Sequence, residues 1–551
     1  MLAEYDSVKT RPRPENRACA ADAKPRVLMY DVDIEHMRSC ERVQSASEIR
    51  GHGATVELTR ICRGTRDLNA DIAEHRPDFI LFAGLPERPV KLPVINNADA
   101  HPEIPRIGLH TSDIFAPMWW ANYQRFQTLG VHGMFSPHSC PSVDRYENAK
   151  IPVYYLPRMV NSDLFHDYGE EKLFHVGFFG TGFRSHVALY AWRKRIAAAL
   201  DEKFVTISTG RPDVLDQDDP LIPYGERYAR LINRCYFAPA CSTTIRRPVE
   251  KALQIPASMS CLVTEGNTLL EEYGFRDMVN CVVADESDIA DKLRGLMADR
   301  KELNKITKAG YRLVHDNYLG AQMRAMRNWY EAFAEMPPGG KVCQTGVLDF
   351  EAVAPGGAPT RELRGDENPA HATMARAFDQ LLAGETANAG AAFFRAMSFQ
   401  NFFTPANIGY AIVKLYQGDL STAMNHLRPN IVWLETMAQG HLDNDPALVA
   451  YFALMSILNN NQESAEQALG LARGRRHPLL QSVRLITSVR RDPKNVDVNA
   501  DTLEDFINGG QDCESECPLN FGTAHGYLEH FLEILSANGQ KGLCRRIERL
   551  L

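Results

Sequence analysis

The feature that most constrains this fold is a regular alternation of short apolar runs with helical stretches between residues 26 and 335. Six runs predict the strands of a first sheet: Arg26–Tyr30, Ala54–Leu58, Asp78–Phe82, Arg106–His110, Val131–Ser136 and Val153–Leu156. A second series of runs begins at Leu173 and ends near Val283. Strands that alternate with helices predict parallel sheets with right-handed crossovers. The expected fold class is therefore α/β, with two Rossmann-like domains in series.

Length and composition narrow the class of protein. The chain has 551 residues, of which 44% are hydrophobic and 24% charged, as in an ordinary protein of several domains. The formal net charge of −8 argues against a nucleic-acid partner. We find no run of about 18 apolar residues and no apolar signal core near the N-terminus. The expected location is cytoplasmic, or peripheral at an inner membrane, and the twelve cysteines are expected to be reduced.

Changes in composition predict the domain boundaries. Residues 1–24 are polar and are expected to form a flexible tail, followed by an N-terminal Rossmann-like domain over 25–160 and a second over 161–335. Residues 336–370 are rich in proline and glycine and predict a linker. Residues 371–551 are nearly all helical. Two similar stretches 41 residues apart, starting at Tyr410 and Tyr451, predict irregular helical hairpins of the tetratricopeptide type.

Polar residues follow one predicted strand of the first domain. His110 ends the strand R-I-G-L-H, and Asp113 comes three residues later. Ligands of open α/β sheets bind beyond the carboxyl ends of strands, so both side chains are candidates for a site. They could equally cap the following aromatic helix. Asp31 and Asp33 form a D-V-D sequence after the first strand, where a turn or an acceptor contact is expected rather than a metal site.

The second domain carries the strongest candidate binding stretch, Arg246–Tyr273. Pro248 predicts a helix start, because proline suits the first helical turn, and the proline of Ile255–Pro256 predicts its end. Arg246 and Arg247 at a helix start predict an anion site. A short apolar strand, C-L-V, follows.

A glycine-rich turn in the same domain adds to this prediction. The sequence F-H-V-G-F-F runs into Gly180, Thr181 and Gly182, with Arg184 shortly after. Such a turn lets a phosphate approach the backbone, although G-T-G alone is a weak signal.

Four stretches resemble bacterial glycosyltransferases of the GT-B fold, of the spore-maturation-protein-like type with a "glycosyl transferases group 1" second half. They are I-P-V-Y-Y-L-P-R-M-V-N-S-D-L-F-H, H-V-G-F-F-G-T-G, K-A-L-Q-I-P-A-S-M-S-C-L-V-T-E and I-A-D-K-L-R-G-L-M-A-D-R-K-E-L-N-K-I-T-K-A-G-Y-R-L-V. The resemblance covers about residues 26–335. It implies a hexosyltransferase-like enzyme that moves a sugar from a UDP- or GDP-linked donor to a protein or glycan acceptor, without a metal or other cofactor.

The resemblance also implies roles for individual residues. Its pattern R-x-F-E-I-P-A-x-G-x-x-L-L-T-E places Lys251 at an arginine, Gln254 at a glutamate expected to hold the ribose hydroxyls, and Met259 at a glycine. Glu250, one helical turn before Gln254, is an alternative carboxylate. The double-glutamate E-x7-E signature is absent. These departures leave open that the donor binds differently or that activity is lost.

The implied chemistry needs cations at a diphosphate and a base at the acceptor. The residues expected to bind the donor are Gly180, Thr181, Gly182, Arg184, Tyr224, Arg246, Arg247, Glu250, Lys251, Gln254 and Glu265. For an inverting reaction His110 or Asp113 would serve as the base, whereas a retaining reaction requires neither. The alternatives are a nucleotide-sugar epimerase or hydrolase, or a non-catalytic adaptor that acts through the helical domain.

Overall fold

We describe a computed structural model of the chain. It covers residues 24–33, 49–53, 55–84, 92–111, 113, 115–116, 118–143, 150–180, 190–200, 202–209, 223–243, 245–399, 403–437, 445–472, 474–492, 496, 498, 502–509, 515 and 517–549.

The first domain is a parallel sheet with strand order β2-β1-β4-β6-β7-β8, beside a short β3-β5 pair. Its elements are β1 (Arg26–Tyr30), β2 (Glu57–Ile61), β3 (Thr65–Asp67), α1 (Leu68–His75), β4 (Phe79–Ala83), β5 (Val94–Asn96), β6 (Arg106–Leu109), α2 (Met118–Thr128), β7 (Gly133–Ser136) and β8 (Val153–Tyr155). The strand predicted at Ala54–Leu58 is displaced toward Ile61. The amides of Thr55 and Val56 instead donate to the carbonyl of His52, which ends a helical turn.

The second domain is a parallel sheet with strand order β10-β9-β11-β12-β13. Its elements are β9 (Phe174–Phe179), α3 (Ala191–Ala199), β10 (Thr206–Thr209), α4 (Gly225–Asn233), β11 (Cys235–Pro239), α5 (Lys251–Ala257), β12 (Cys261–Thr264), α6 (Thr268–Glu272), β13 (Val282–Val283), α7 (Ile289–Ala298), α8 (Arg300–Asn317) and α9 (Ala321–Glu335). Both sheets are parallel with helical connections, as the alternating sequence pattern predicts.

Helix α9 belongs in sequence to the second domain but packs on the first. Trp329 on α9 is fully buried, and its ring lies 6.4 Å from that of Phe135 on β7 and 6.2 Å from that of Tyr154 on β8. The predicted fold class of two Rossmann-like α/β domains followed by an all-α domain is confirmed.

The segment 336–370, predicted as a linker without regular structure, contains an antiparallel hairpin of β14 (Lys341–Gln344) and β15 (Phe350–Val353). The amide side chain of Gln344 accepts a hydrogen bond from Tyr155 N at 2.8 Å and donates one to Tyr155 O at 3.1 Å. It thereby continues the ladder beyond β8, the last strand of the first sheet. The glycines and prolines suggested a loose chain, whereas the buried Val342 and Val353 fix the hairpin.

The C-terminal part of the described chain is helical. Its helices are α10 (Pro369–Leu382), α11 (Thr386–Phe399), α12 (Thr404–Tyr416), α13 (Leu420–Met437), α14 (Pro446–Leu458), α15 (Gln462–Gly470), α16 (Pro478–Arg491), α17 (Leu503–Ile507), α18 (Ala524–Ala537) and α19 (Lys541–Glu548). The two stretches predicted as helical pairs are α12 with α13 and α14 with α15. Their assignment to the tetratricopeptide type stays a prediction. Within the described residues, no helix combines the length and the apolar character needed to cross a membrane.

Candidate functional site

A cleft of about 180 Å³ opens at the carboxyl edge of the second sheet, where the strands of a parallel sheet commonly present a ligand. Strands β11 and β12 end beside it, and α3 begins at its rim. The lining residues are Ala191, Trp192, Arg195, Ser242, Thr243, Arg246 and Glu265. The cleft therefore combines two arginines with one carboxylate and two hydroxyl groups.

Glu265 directly follows β12 and is the acidic residue of the cleft. Its carboxylate accepts a hydrogen bond from Ser242 Oγ at 2.7 Å and another from Arg246 at 3.0 Å. Its side chain is 17% exposed, and this burial raises the pKa of the carboxyl group above its ordinary value. Carboxylates with a raised pKa in a cleft are frequent at functional sites.

The side chain of Arg246 is held by three hydrogen-bond partners. Its guanidinium group bonds Glu265, the carbonyl of Gly266 at 2.7 Å and the carboxylate of Asp366 at 3.2 Å. Its backbone adopts a left-handed conformation with φ of 61°, which residues other than glycine rarely adopt. Two carboxylates thus already balance the charge of Arg246.

Arg247 is fully buried inside the protein. Its guanidinium group donates to the carbonyl of Asp366 at 2.8 Å. The prediction that Arg246 and Arg247 begin a helix is wrong, because α5 begins at Lys251. Pro248 instead forms an antiparallel bridge with Ser242. Helix α5 also continues past Ile255 and includes Pro256 in its last turn, so the predicted end is wrong as well.

Lys251 lies beside Gly180, the residue that directly follows β9. Gly180 has φ of 93°, and a Cβ atom there would stand 2.6 Å from Cε and 2.7 Å from Nζ of Lys251. The positive φ favours glycine here, and a larger residue would also displace the end of the Lys251 side chain. Thr181, Gly182 and Arg184, the other residues predicted for this turn, lie outside the described residues.

Three further residues predicted to bind the donor do not line the cleft. Gln254 is buried on α5 with 6% exposure, and Tyr224 precedes α4 with 37% exposure. The Glu250 side chain is 43% exposed and lies 3.7 Å from Arg158, a residue of the segment between the two sheets.

The backbone conformation of Met259 explains why the resembling pattern has glycine at this position. Its φ is 56°, so the backbone occupies the left-handed region at the position where that pattern has glycine. The substitution keeps the turn but places a side chain on a backbone that disfavours it.

His110 is fully buried and engaged at both ring nitrogens. Nε2 lies 3.1 Å from the carbonyl of Asp113, and Nδ1 accepts from the side-chain amide of Asn122 at 3.1 Å. Burial lowers the pKa of His110 to about 4. The Asp113 carboxylate accepts from the amide of Phe115 at 2.9 Å and contacts His371 of α10 at 3.1 Å. The structure thus gives both predicted bases internal partners, and Asp113 joins the first domain to the helical one.

His138 and Arg158, near the segment between the two sheets, were not among the predicted site residues. His138 lies just after β7, with Nε2 3.5 Å from Arg158, while within the described residues its Nδ1 is buried without a hydrogen-bond partner. Burial and the charges of Arg158, His110 and Arg247 hold the pKa of His138 well below its ordinary value. The sequence signal was a polar S-P-H-S after a buried strand.

The D-V-D sequence forms internal ion pairs. Arg60 donates to Asp31 from Nε at 3.0 Å, and Arg63 pairs with Asp33. Both carboxylates therefore tie the end of β1 to the end of β2 and its following turn.

Protein-family models and curated proteins give no match to this chain. Solved structures give weak matches. HepE of Anabaena in complex with UDP-glucose is 12% identical over 54% of this chain and 96% of that chain, with a TM-score of 0.35. A glycosyltransferase of Rickettsia africae is 9% identical over 56% of this chain and 98% of that chain, with a TM-score of 0.36. Sucrose-phosphate synthase of Thermosynechococcus elongatus is 9% identical over 56% and 98%, with a TM-score of 0.35. At this similarity no activity or residue is transferred from them.

Proposed function

We propose that this protein is a glycosyltransferase that takes a sugar from a nucleoside-diphosphate donor, UDP- or GDP-linked, and transfers it to a protein or glycan acceptor. The observation that carries the proposal is the cleft at the carboxyl edge of the second sheet, with Glu265 within it and Arg195 at its rim. The sequence resemblance of residues 26–335 points to the same reaction.

The cations near the cleft suit a diphosphate. Arg195 is half exposed and pairs with Glu286 at 3.0 Å. Burial raises the pKa of Glu265, and the charge of Arg195 partly offsets that rise. Lys251 lies beside Gly180, the residue that directly follows β9. Cationic side chains at this position stabilise the negative charge that develops on the departing diphosphate. The reaction we propose uses these side chains and needs no metal ion.

The acceptor side is proposed to lie in the first domain. We assign the role of candidate base to His138 instead of His110, because both ring nitrogens of His110 have hydrogen-bond partners inside the protein. The helical domain contacts the first domain through Asp113 and His371 and is proposed to bind the protein or glycan acceptor.

Calorimetric titration of the full chain with UDP-glucose and GDP-mannose tests the donor site. We expect one of them to bind, and Arg195→Ala and Lys251→Ala each to weaken binding about tenfold, since a charge-assisted hydrogen bond contributes about 1.5 kcal/mol or more. Lys305→Ala is the matched control, because Lys305 is an exposed cation that pairs with Glu302 on α8. Failure of UDP- and GDP-sugars to bind would contradict the proposal.

A non-catalytic adaptor is the competing function, and one observation favours it. The charge of Arg246 is balanced by Glu265 and Asp366, and Gln254 provides no carboxylate. An adaptor would bind its partner through the helical domain with no dependence on a nucleotide. Measuring the release of UDP or GDP from a bound donor distinguishes the two functions, because an enzyme releases the nucleotide and an adaptor does not.

A further inference from the structure

The cleft holds a carboxylate that is built into position. Glu265 is the acidic member among the described lining residues, and burying a charge is costly unless it is paired and hydrogen-bonded. Ser242 and Arg246 supply those bonds at 2.7 and 3.0 Å. The protein therefore holds a hydrogen-bonded carboxyl group in a fixed position at the wall of a cleft.

Several residues hold Arg246, the partner of Glu265, in place. Arg246 stays in a left-handed conformation, which costs free energy and persists only where neighbouring contacts fix it. Asn267 donates to the Arg246 carbonyl at 3.1 Å, and Asp366 holds the guanidinium group. Asp366 is itself fixed by the Thr268 hydroxyl at 2.6 Å and the Thr268 amide at 3.1 Å. Several hydrogen bonds thus fix the position of one carboxylate.

This geometry selects a ligand with hydroxyl groups. A carboxylate only accepts hydrogen bonds, at about four sites on its two oxygens, and Ser242 and Arg246 use part of them. Two neighbouring hydroxyl groups can donate to both oxygens together. The cleft volume of about 180 Å³ is several times the ~30 Å³ of a water molecule, which is room for one sugar ring. Arg195 at the rim suits a phosphate attached to that ring.

We propose that Glu265 receives a vicinal diol of the bound donor, either from the ribose or from the transferred sugar, and that Asp366 is a positioning residue that acts through Arg246. The inference rests on the proposed function and names the group that selects its substrate. It also makes the segment before α10 part of the donor site.

Two pairs of ligands test the inference by calorimetry on the full chain. The first pair is UDP and 2′-deoxy-UDP, and the second is UDP-glucose and UDP, with the guanosine series used if GDP binds tighter. If the ribose supplies the diol, the wild type binds UDP about tenfold tighter than 2′-deoxy-UDP. If the transferred sugar supplies it, UDP-glucose binds about tenfold tighter than UDP. Glu265→Gln is expected to abolish the preference that exists.

Asp366→Asn separates positioning from folding. We expect Asp366→Asn to reduce the preference for the ligand that carries the diol. Its affinity for the ligand without the diol should fall much less. A residue with a merely structural role would weaken the binding of both ligands. Glu265→Asp should restore part of the preference and serves in place of Glu265→Gln if that variant does not fold. Glu271→Gln is the control, since Glu271 is an exposed carboxylate on α6.

The outcomes distinguish the two proposals. A preference that Glu265→Gln leaves unchanged, or the absence of either preference in a wild type that binds a nucleotide, overturns the role of Glu265 alone. If neither the uridine nor the guanosine ligands bind, the proposed function is overturned and this inference with it.

Discussion

Met259 is a residue whose backbone, rather than its contacts, decides its effect on stability. It holds φ of 56°, in the region that glycine adopts without a steric penalty. We expect Met259→Gly to be more stable than Met259→Ala by about 1 kcal/mol, because alanine keeps the strain and glycine removes it. Urea unfolding of the two variants measures this difference. An alanine variant as stable as the glycine variant would contradict the assignment of strain.

Individual site residues were predicted unevenly from the sequence. Glu265 was predicted to bind the donor because it ends an apolar strand in the second series; it lines the cleft, and its role in binding stays a prediction. Arg195 was missed, because an arginine in an amphipathic helix looks like any solvated charge. Asp366 was missed because it lies 120 residues from the arginine that it contacts. Pairing over that separation depends on tertiary structure and leaves no local pattern.

His530 joins three helices of the helical domain and predicts a dependence of stability on pH. Its Nδ1 lies 2.5 Å from the hydroxyl of Tyr416, and its Nε2 lies 2.6 Å from that of Tyr451. Burial holds the pKa of His530 at about 3, below the ordinary value of 6.5, so the folded state favours the neutral ring. The unfolded chain then binds more protons below pH 6.5, and stability is lost as the pH falls from 6.5 toward 3.

We expect His530→Gln to lose less stability than the wild type between pH 7 and pH 5. The difference is at most about 1.4 kcal/mol per pH unit, the free energy that corresponds to one unit of pKa. Urea unfolding at the two pH values measures it. His110 and His477 also have a lowered pKa and stay in both proteins, so the difference between the proteins isolates His530. Equal losses would contradict the account.

At the scale of elements, the sequence predicted which segments form strands better than where they begin. β1 was predicted residue for residue, whereas β2 begins three residues beyond its predicted start and α5 begins three residues beyond Pro248. Pro248 is compatible with a first helical turn, but its bridge to Ser242 holds it extended. Such a bridge depends on contacts between separate segments, which local propensity does not predict. The same reason explains the hairpin found in the predicted linker.

The hairpin should contribute measurably to the first domain through Gln344. Gln344→Ala leaves the buried amide and carbonyl of Tyr155 without their partner, and each unsatisfied buried group costs about 1–3 kcal/mol. We expect the unfolding free energy to fall by ~2–6 kcal/mol. Lys341→Ala, on the exposed face of the same strand, is the control and should change little. Equal stability of both variants would show that the segment acts only as a tether.

At the scale of the whole molecule, the helical domain is docked rather than tethered. Asp113 contacts His371, the amide of Thr404 donates to the carbonyl of Phe115 at 2.9 Å, and Arg475 reaches Gln124 at 3.3 Å. Helix α9, which follows the second sheet in the chain, packs on the first sheet through Trp329. The sequence predicted the order of these parts, but their contacts connect residues that lie far apart in the chain and could not be predicted.

The central claim is that the carboxyl edge of the second sheet binds a nucleotide sugar. Hydrogen exchange of the full chain, with and without saturating UDP- or GDP-sugar, tests both the binding and its location. We predict protection in peptides that contain residues 190–195, 239–243 and 261–268, with little change in α14 and α16. Protection confined to the helical domain, or none with either donor, would contradict the account.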